Sequence, residues 1–274
     1  MIRTILFVLS AMLAGSVFAQ ADADVPASSS TFFGLENRSN EYSKESNVEV
    51  WNFYNNFGGN NNGETINLRL YTPLNVGDWK GMLRLDTNTT SAWGPATPGQ
   101  RADEFSAGNS FITVWGQPPA FLSKMNVSLG ARLIFPFGNY GQWAAGPQIG
   151  SVYKPKATSK TMLSDFSPLL RYLYGFDTKS NSFANNPTQP ALMRTLQIYP
   201  TFGVQITPAT QIRFWEQNGI LYNSAGGQWF VPLDALVTHA VNKEFSFALG
   251  ASKQLIQTFN NYNYSLYGRV VFQF

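Results

Sequence analysis

The 274-residue sequence contains no cysteine. A disulfide-stabilised scaffold is therefore excluded, and so is an N-terminal lipid anchor, which requires a cysteine. Histidine is nearly absent as well, because His239 is the single one. The sequence also lacks the residue spacings of Walker, dinucleotide-binding and zinc motifs. No cofactor or metal is expected from these absences, and no common class of enzyme is indicated.

Charged residues are scarce. Asp, Glu, Lys and Arg make up 13% of the chain, about half of the ~25% that is usual in soluble proteins. Aromatic residues, in contrast, reach 15%. The formal net charge is only +3, and the basic residues are scattered along the chain, so a nucleic-acid partner is not expected.

Long apolar runs are missing from most of the chain. The exception is residues 1–19, in which Arg3 precedes a short apolar run and a small-residue cleavage site that ends at Ala19. This order is typical of a secretory signal peptide. After Ala19 no apolar run approaches the ~20 residues of a transmembrane helix. The sequence therefore predicts an exported chain without helical membrane spans.

The end of the chain, residues 262–274, alternates with a period of two. Leu266 and Val270 share an apolar face with aromatic residues at both ends, and the opposite face is mostly polar. Such alternation predicts a β-strand. A last strand that carries Phe272 and ends on Phe274 is typical of an outer-membrane β-barrel, and we interpret these two residues as a terminal assembly signal. The last strand of a soluble β-sandwich is the alternative.

Similar runs recur along the chain, each close to the ~9–11 residues that a tilted membrane-spanning strand needs. The sequence therefore predicts an all-β fold, a transmembrane antiparallel up-and-down β-barrel of about 12 strands. The barrel is assigned to residues 47–274, and residues 20–46 are interpreted as an N-terminal periplasmic segment. The predicted strands are residues 47–56, 64–72, 79–88, 105–116, 124–135, 143–153, 166–176, 195–205, 211–219, 229–239, 244–254 and 262–274.

The predicted connections differ in length on the two sides of the membrane. If the chain ends at the periplasm, the outer loops include the longest connections, and turns such as 207–209 and 241–242 are short inner ones. Long outer loops and short inner turns are typical of outer-membrane barrels. The segment 153–164 is long for an inner turn. The predicted outer loops are residues 57–63, 89–104, 136–141, 177–190, 222–227 and 255–261.

Charged residues fall mainly on the polar faces of the predicted strands. One interpretation is a pore lining with a positive bias that selects anionic or polar solutes. The other is an ion-paired interior that fills a narrow barrel. Strict alternation places Glu216 on the lipid-facing side, so a bulge or an interfacial position is expected there. The predicted lumen-lining residues are Arg69, Arg84, Asp86, Arg132, Arg171, Arg213, Asp234, Glu244 and Arg269.

Catalytic patterns are weak. A barrel that hydrolyses lipids needs a histidine with a serine near the outer rim. His239 instead ends the tenth predicted strand on the periplasmic side and shares the apolar face with Val237, which favours the role of an interfacial aromatic residue. Asp103 and Glu104 lie together in an outer loop, where solvation accounts for them. No catalytic residue is predicted.

Three stretches resemble a family of bacterial outer-membrane barrels of the phenol meta-cleavage pathway type, whose members are often mislabelled "neuromedin U". The resemblance covers most of the chain after Asn47, and residues 165–190 depart from it. It implies uptake of small compounds, aromatic ones among them, and brings no functional residues with it. The stretches are INLRLYTPL at 66–74 with DWKGMLR at 78–84, FPFG at 135–138 with QWAAGPQ at 142–148, and GQWFVPL at 227–233.

The predicted function is passage of small solutes through a barrel channel in the outer membrane of a Gram-negative bacterium. The expected partners are outer-membrane lipid and lipopolysaccharide, the barrel-assembly machinery and a small-molecule solute. One alternative is a filled barrel without a pore that acts structurally or in adhesion. The other is an outer-membrane lipid hydrolase, which the position of His239 argues against.

Overall fold

The chain forms β-strands joined by turns in every part that the structure describes. The structure is a computed structural model that describes residues 43–95, 101–117, 126–137, 142–155, 161–178, 193–258 and 261–274. Within these ranges, no helix is long and apolar enough to cross a membrane. The predicted signal peptide and nearly all of the predicted N-terminal segment lie outside the described residues.

Fifteen strand segments build twelve barrel strands, because three barrel strands are each interrupted once. The interrupted strands consist of β7 with β8, β9 with β10, and β11 with β12. The segments are β1 Asn47–Gly58, β2 Asn61–Val76, β3 Trp79–Trp93, β4 Ser106–Gln117, β5 Val127–Pro136, β6 Gln142–Ser151, β7 Leu163–Phe166, β8 Leu169–Thr178, β9 Arg194–Tyr199, β10 Phe202–Thr207, β11 Thr210–Phe214, β12 Ile220–Asn223, β13 Gln228–Ala240, β14 Phe245–Gln257 and β15 Tyr264–Gln273.

The sheet closes on itself, and all of its pairings are antiparallel. β1 pairs with β2 on one side and with β15 on the other, so that Glu49 lies opposite Val271 and Trp51 lies opposite Arg269. β12 pairs with both β9 and β13, which completes the ring. Closure removes the free edges that an open sheet would expose to lipid. The predicted all-β, twelve-strand antiparallel barrel is confirmed.

The three interruptions lie next to one another in the barrel wall. Pro168 and Pro200 cannot donate a ladder hydrogen bond, which explains why two of the strands break there. Other bonds keep the wall continuous at this level. The N–H of Ser167 donates to the carbonyl of Thr201 at 2.8 Å, and the hydroxyl of Thr201 donates to the carbonyl of Trp215 at 2.5 Å.

The outer face of the barrel is apolar. In β2, for example, Leu68 is 48% exposed whereas its neighbours Asn67 and Arg69 are buried on the inner face. Most strands present an exposed large apolar residue in this way, and a soluble protein rarely exposes so much apolar surface. A barrel surrounded by lipid exposes an apolar surface of this kind. These residues include Val50, Leu68, Leu85, Val114, Leu129, Ile149, Leu170, Leu233, Leu249 and Leu266.

Aromatic side chains gather at both rims. At the terminal rim, defined here as the rim that holds Asn47 and Phe274, Phe245 packs against Phe272 with ring centroids 5.2 Å apart. At the opposite rim, the far rim, Tyr222 packs against Trp229 at 4.5 Å. Two aromatic belts around an apolar band are the usual profile of a membrane barrel.

The strands run further into the predicted loops than the alternation pattern indicated. The predicted loop 57–63 shrinks to Gly59 and Asn60, both with positive φ. At the terminal rim, only Gly77 and Asp78 separate β2 from β3, and Gly77 adopts a φ of 57°. The terminal rim also carries the long connections 118–126 and 152–162. The predicted contrast between long outer loops and short inner turns is therefore only partly met.

Candidate functional site in the barrel interior

The structure places eight of the nine predicted lumen residues on the inner face of the barrel, where none is more than 6% exposed. The exception is Glu244, which lies exposed in the turn between β13 and β14. Its prediction was wrong because the strand starts one residue later. The side chain of Asn242 accepts hydrogen bonds from the N–H groups of Glu244 and Phe245, at 2.9 and 2.8 Å, and these bonds build the turn.

The two residues predicted as an assembly signal lie on the outside at the terminal rim. Phe272 is 50% exposed and Phe274 is 72% exposed. The backbone of Phe274 exchanges hydrogen bonds with Ser46 in both directions, at 3.1 and 3.0 Å. The last residue is thus held in the sheet by its backbone while its ring faces outward.

A first group of interior charges lies on β2 and β3. Arg84 donates two hydrogen bonds to the carboxylate of Asp86, at 2.6 and 2.7 Å. Arg69 approaches the same carboxylate, with 3.0 Å between its Nε and Oδ1. All three side chains are buried. Such close, bidentate pairing is what allows charge to remain in an enclosed site.

Trp51 on β1 links the charges of β2 and β3 to Glu49 on β1 and Arg269 on β15. Its indole N–H donates to Glu49 at 2.8 Å, and Glu49 lies 3.9 Å from the guanidinium of Arg69. The guanidinium groups of Arg69 and Arg269 lie 4.4 and 4.9 Å from the centroid of the Trp51 ring. The ring therefore stabilises two cations through its π-face as well as one anion through its edge.

A second group of charges joins β7, β11 and β15. Arg213 donates to both oxygens of Asp165, at 2.5 and 2.9 Å, and its Nε lies 2.8 Å from Glu216. Glu216 also accepts a hydrogen bond of 3.2 Å from Arg269. Gly203 makes room for this group, because a Cβ at that position would lie 2.6 Å from the guanidinium of Arg213.

Glu216 is the residue for which strict alternation fails. The lipid-facing position that alternation gives is wrong, since the carboxylate is fully buried inside the barrel. The expected irregularity is present: Trp215 adopts a φ of 48°, a left-handed conformation that costs about 1–3 kcal/mol and persists only when the surroundings enforce it. This reversal turns the following residues inward and interrupts the strand between β11 and β12.

The segment Trp215–Gly219, called the inner segment below, reaches far across the interior. Gln217 accepts a hydrogen bond of 3.1 Å from Arg69, which lies on β2. From β11 to β2 the ring passes through β13, β14, β15 and β1, so the contact joins nearly opposite walls. Among the described residues, the inner segment thus divides the interior at this level.

Asp234 on β13 holds the inner segment in place. One of its oxygens accepts the backbone N–H groups of Gln217 and Asn218, both at 3.3 Å. The other accepts the side-chain amide of Asn218 at 2.9 Å and the hydroxyl of Tyr267 at 2.6 Å. Tyr267 is fixed in turn by packing against Phe53, with ring centroids 5.6 Å apart. A single buried carboxylate therefore satisfies four donors.

The wall formed by β4, β5, β6, β8 and β9 has a different character. Its five strands contain one acidic residue, Asp177, at the far end of β8. Arg132 donates to Thr113 at 2.8 Å, and Arg171 donates to Gln148 at 3.0 Å. None of the described buried carboxylates lies on these five segments, since they are on β1, β3, β7 and β13 and in the inner segment. This acid-free wall is the electropositive side of the interior.

His239 lies away from the interior charges. It is half-buried, its Nδ1 is 2.9 Å from the hydroxyl of Thr210, and its ring is 5.5 Å from that of Phe247. In the far-rim loop, Asp103 pairs with Arg101 at 3.1 Å in full exposure to solvent. Within the described ranges, no group of three or more His, Asp or Glu side chains is arranged to hold a metal ion.

Sequence reasoning missed several interior residues. Glu49 and Trp51 were not assigned because the facing of the first strand is ambiguous by hydrophobicity, although its burial alternates clearly. Glu216 was placed on the wrong face, and the anchoring role of Tyr267 was not seen. Polar Asn47 and Glu49 at alternate positions of β1 are the signal that could have revealed its inner face.

The comparisons with solved structures agree with the fold. The COG4313 outer membrane channel from Pseudomonas putida F1 superimposes with a TM-score of 0.56 at 12% identity, over 93% of this chain and 100% of that one. The KdgM porin, solved in complex with disordered oligogalacturonate, gives a TM-score of 0.45 at 8% identity over 82% and 99%. No family model matches this sequence, and neither does any curated protein.

The chain has the fold of an outer-membrane β-barrel. The predicted location in a Gram-negative outer membrane agrees with the closed sheet, the apolar outer face and the two aromatic belts. The likeness to the Pseudomonas channel supports the same fold.

Proposed function

We propose that the chain is a narrow outer-membrane channel that conducts small polar solutes and favours anions, small aromatic acids among them. The observation that carries the proposal is the buried, charged interior inside an apolar shell. Six arginines and five carboxylates are buried there. Well-packed apolar side chains fill a core at equal or lower free energy, so a barrel that only needed filling would not require these charges.

The preference for anions follows from the distribution of the interior charges. Arg69, Arg84, Arg213 and Arg269 each lie within ion-pair distance of a carboxylate. Arg132 and Arg171 lie on the acid-free wall, where they donate to the side chains of Thr113, Gln148 and Gln197. A positive lining concentrates anions and repels cations in a narrow polar passage. The proposed solute path therefore runs along this wall.

The aromatic part of the proposal has two supports. One is the resemblance of the sequence to barrels of the phenol meta-cleavage pathway type, which implies small aromatic compounds as solutes. The other is that the guanidinium groups of the acid-free wall lie near aromatic rings, Arg132 at 5.5 Å from Phe111 and Arg171 at 5.9 Å from Tyr199. Paired cations and rings suit a solute that carries both a carboxylate and a ring.

The test is the current of the refolded protein in a planar bilayer with a potassium chloride gradient. We expect small single-channel steps and a reversal potential on the anion side. Arg132→Gln removes one charge of the acid-free wall and should move the reversal potential toward zero. Arg101→Gln is the matched control, because Arg101 is 72% exposed in a far-rim loop. An unchanged reversal potential in Arg132→Gln would show that the wall does not line the path.

A filled barrel without a pore is the second candidate. The close ion pairing and low exposure of the interior arginines favour it. Such a barrel would act through its far-rim loops and its contacts with lipid and lipopolysaccharide. If the folded protein passes no current, either as wild type or as the Asp234→Ala variant, the filled barrel is favoured over the channel.

A further inference from the structure

We propose that the inner segment, Trp215–Gly219, is the constriction that sets the size limit of this channel, and that Asp234 is the residue that positions it. The inference rests on the proposed channel function, and it concerns a part of the interior that no sequence pattern assigned. It follows from three features of the segment: its residues leave the strand ladder, they contact side chains across the interior, and they are bonded to Asp234.

The inner segment has left the barrel wall. Ladder pairing between β11 and β13 stops at Phe214, opposite Ala235, and pairing between β12 and β13 resumes only at Leu221, opposite Phe230. The left-handed φ of Trp215 starts this departure. Between the two pairings, the N–H of Trp215 still donates to the carbonyl of Asp234 at 3.1 Å, whereas the residues after Trp215 are held in the described structure mainly by side-chain contacts.

The reach of the segment gives it control over the cross-section. Glu216 contacts Arg269 on β15, and Gln217 contacts Arg69 on β2. Arg69 lies on the part of the wall that faces β11 across the interior, and Arg269 lies on the way to it, with β13 and β14 between β15 and β11. The same side of the interior is occupied by the packed rings of Trp51, Phe53 and Tyr267. The space left for a solute is therefore on the side of the acid-free wall, and the inner segment forms its inner boundary.

The attachment of Gln217 and Asn218 to β13 is concentrated in one side chain, that of Asp234. Asp234 accepts the two backbone N–H groups and the amide of Asn218 described above. Tyr267 is the fourth donor to the same carboxylate. Loss of the carboxylate would leave these donors without their acceptor and release Gln217 and Asn218 from β13, while the bonds of Trp215 to β13 and the ladder between β13 and β14 remain.

The first experiment compares Asp234→Ala with wild type in planar bilayers and in liposome-swelling assays with neutral sugars of increasing size. We expect the single-channel conductance to rise at least twofold and larger sugars to enter. Ser246→Ala is the matched control, because Ser246 is a buried residue of β14 that lies opposite Ala240 at the end of β13, whereas Asp234 lies opposite Ser252. It should leave the conductance and the size limit unchanged.

A second variant tests the position of the segment even if Asp234→Ala fails to fold. The chain has no cysteine, so Gln217→Cys introduces a unique thiol at the proposed constriction. Modification with a small charged methanethiosulfonate reagent should reduce the current by more than half. The same reagent on Ser246→Cys should have little effect, because that residue lies near the terminal rim, opposite Ala240, and outside the constriction.

The outcomes separate the two proposals. If wild type conducts and neither Asp234→Ala nor modified Gln217→Cys changes the current or the size limit, the constriction is refuted and the channel stands. If Asp234→Ala conducts where wild type is silent, the inner segment closes the channel and the inference is supported. If no form conducts, the channel and its constriction both fail.

Discussion

Single side chains decide whether the interior of this barrel can hold charge. Glu216 contacts two arginines, and Trp51 lies beside two guanidinium groups while it donates to Glu49. A buried ion is tolerated only when its partners offset the cost of leaving water. Removal of one partner should therefore cost more than removal of an exposed charge of the same type.

Glu216→Gln tests this at a carboxylate that contacts two arginines. The change keeps the size of the side chain but leaves Arg213 and Arg269 with one carboxylate fewer between them. We expect the free energy of unfolding to fall by about 3–5 kcal/mol, measured by guanidinium titration of tryptophan fluorescence in lipid vesicles. Glu45→Gln, at an exposed position of the described chain, is the control. Equal stabilities of the two variants would contradict the ion-paired interior.

At the scale of strands, the period of two predicted most of the architecture. The predicted inward facings of Arg69, Arg84 and Asp86 match their observed burial, because each lies in an uninterrupted strand whose two faces meet lipid and interior. Prediction failed where the period breaks. Glu216 follows a left-handed residue and Glu244 belongs to an Asx-type turn, and neither event is visible in hydrophobicity.

The interior site was harder to predict than the strands. Alternation shows that Arg69 and Gln217 are polar, yet their contact depends on barrel closure and on how far the inner segment reaches, which no local pattern records. The pairing of Arg213 with Asp165 likewise depends on the order of the interrupted strands β7, β10 and β11. The two-residue period of the sequence predicts which face of the sheet a residue occupies. Its contact partner across the interior is determined by the topology of the barrel.

Gly146→Ala tests a close approach between two strands. A Cβ at Gly146 would collide with the backbone carbonyl of Tyr172 on β8, which cannot move away without breaking the pairing of β6 with β8. We expect a lower yield of folded, heat-modifiable protein on gels. Gly268→Ala is the control, since the nearest atom to its Cβ would be a side-chain carbon of Leu249 at 3.4 Å. Equal yields would show that β6 and β8 can separate without loss of the barrel.

At the scale of the whole molecule, closure joins the two ends of the barrel chain. Asn47 lies opposite Gln273, and Ser46 bonds to the backbone of Phe274. Closure must therefore wait until the last strand has been made. Phe274 itself is 72% exposed, so its ring contributes little to the packing of the finished barrel. The sequence predicts a role for this ring in assembly rather than in stability.

Phe274→Ala should separate assembly from stability, because it removes the ring and keeps the backbone bonds to Ser46. If the barrel-assembly machinery reads this ring, as the sequence predicts, the variant should reach the outer membrane of cells at a several-fold lower level. Refolding into vesicles needs no such machinery, so the purified variant should refold to the same yield and unfold at the same guanidinium concentration as wild type. Leu266→Ala, which removes an exposed apolar side chain from the middle of the same strand, is the control and should affect both readouts only slightly. Equal losses in cells and in vesicles would instead assign Phe274 to the stability of the closed barrel.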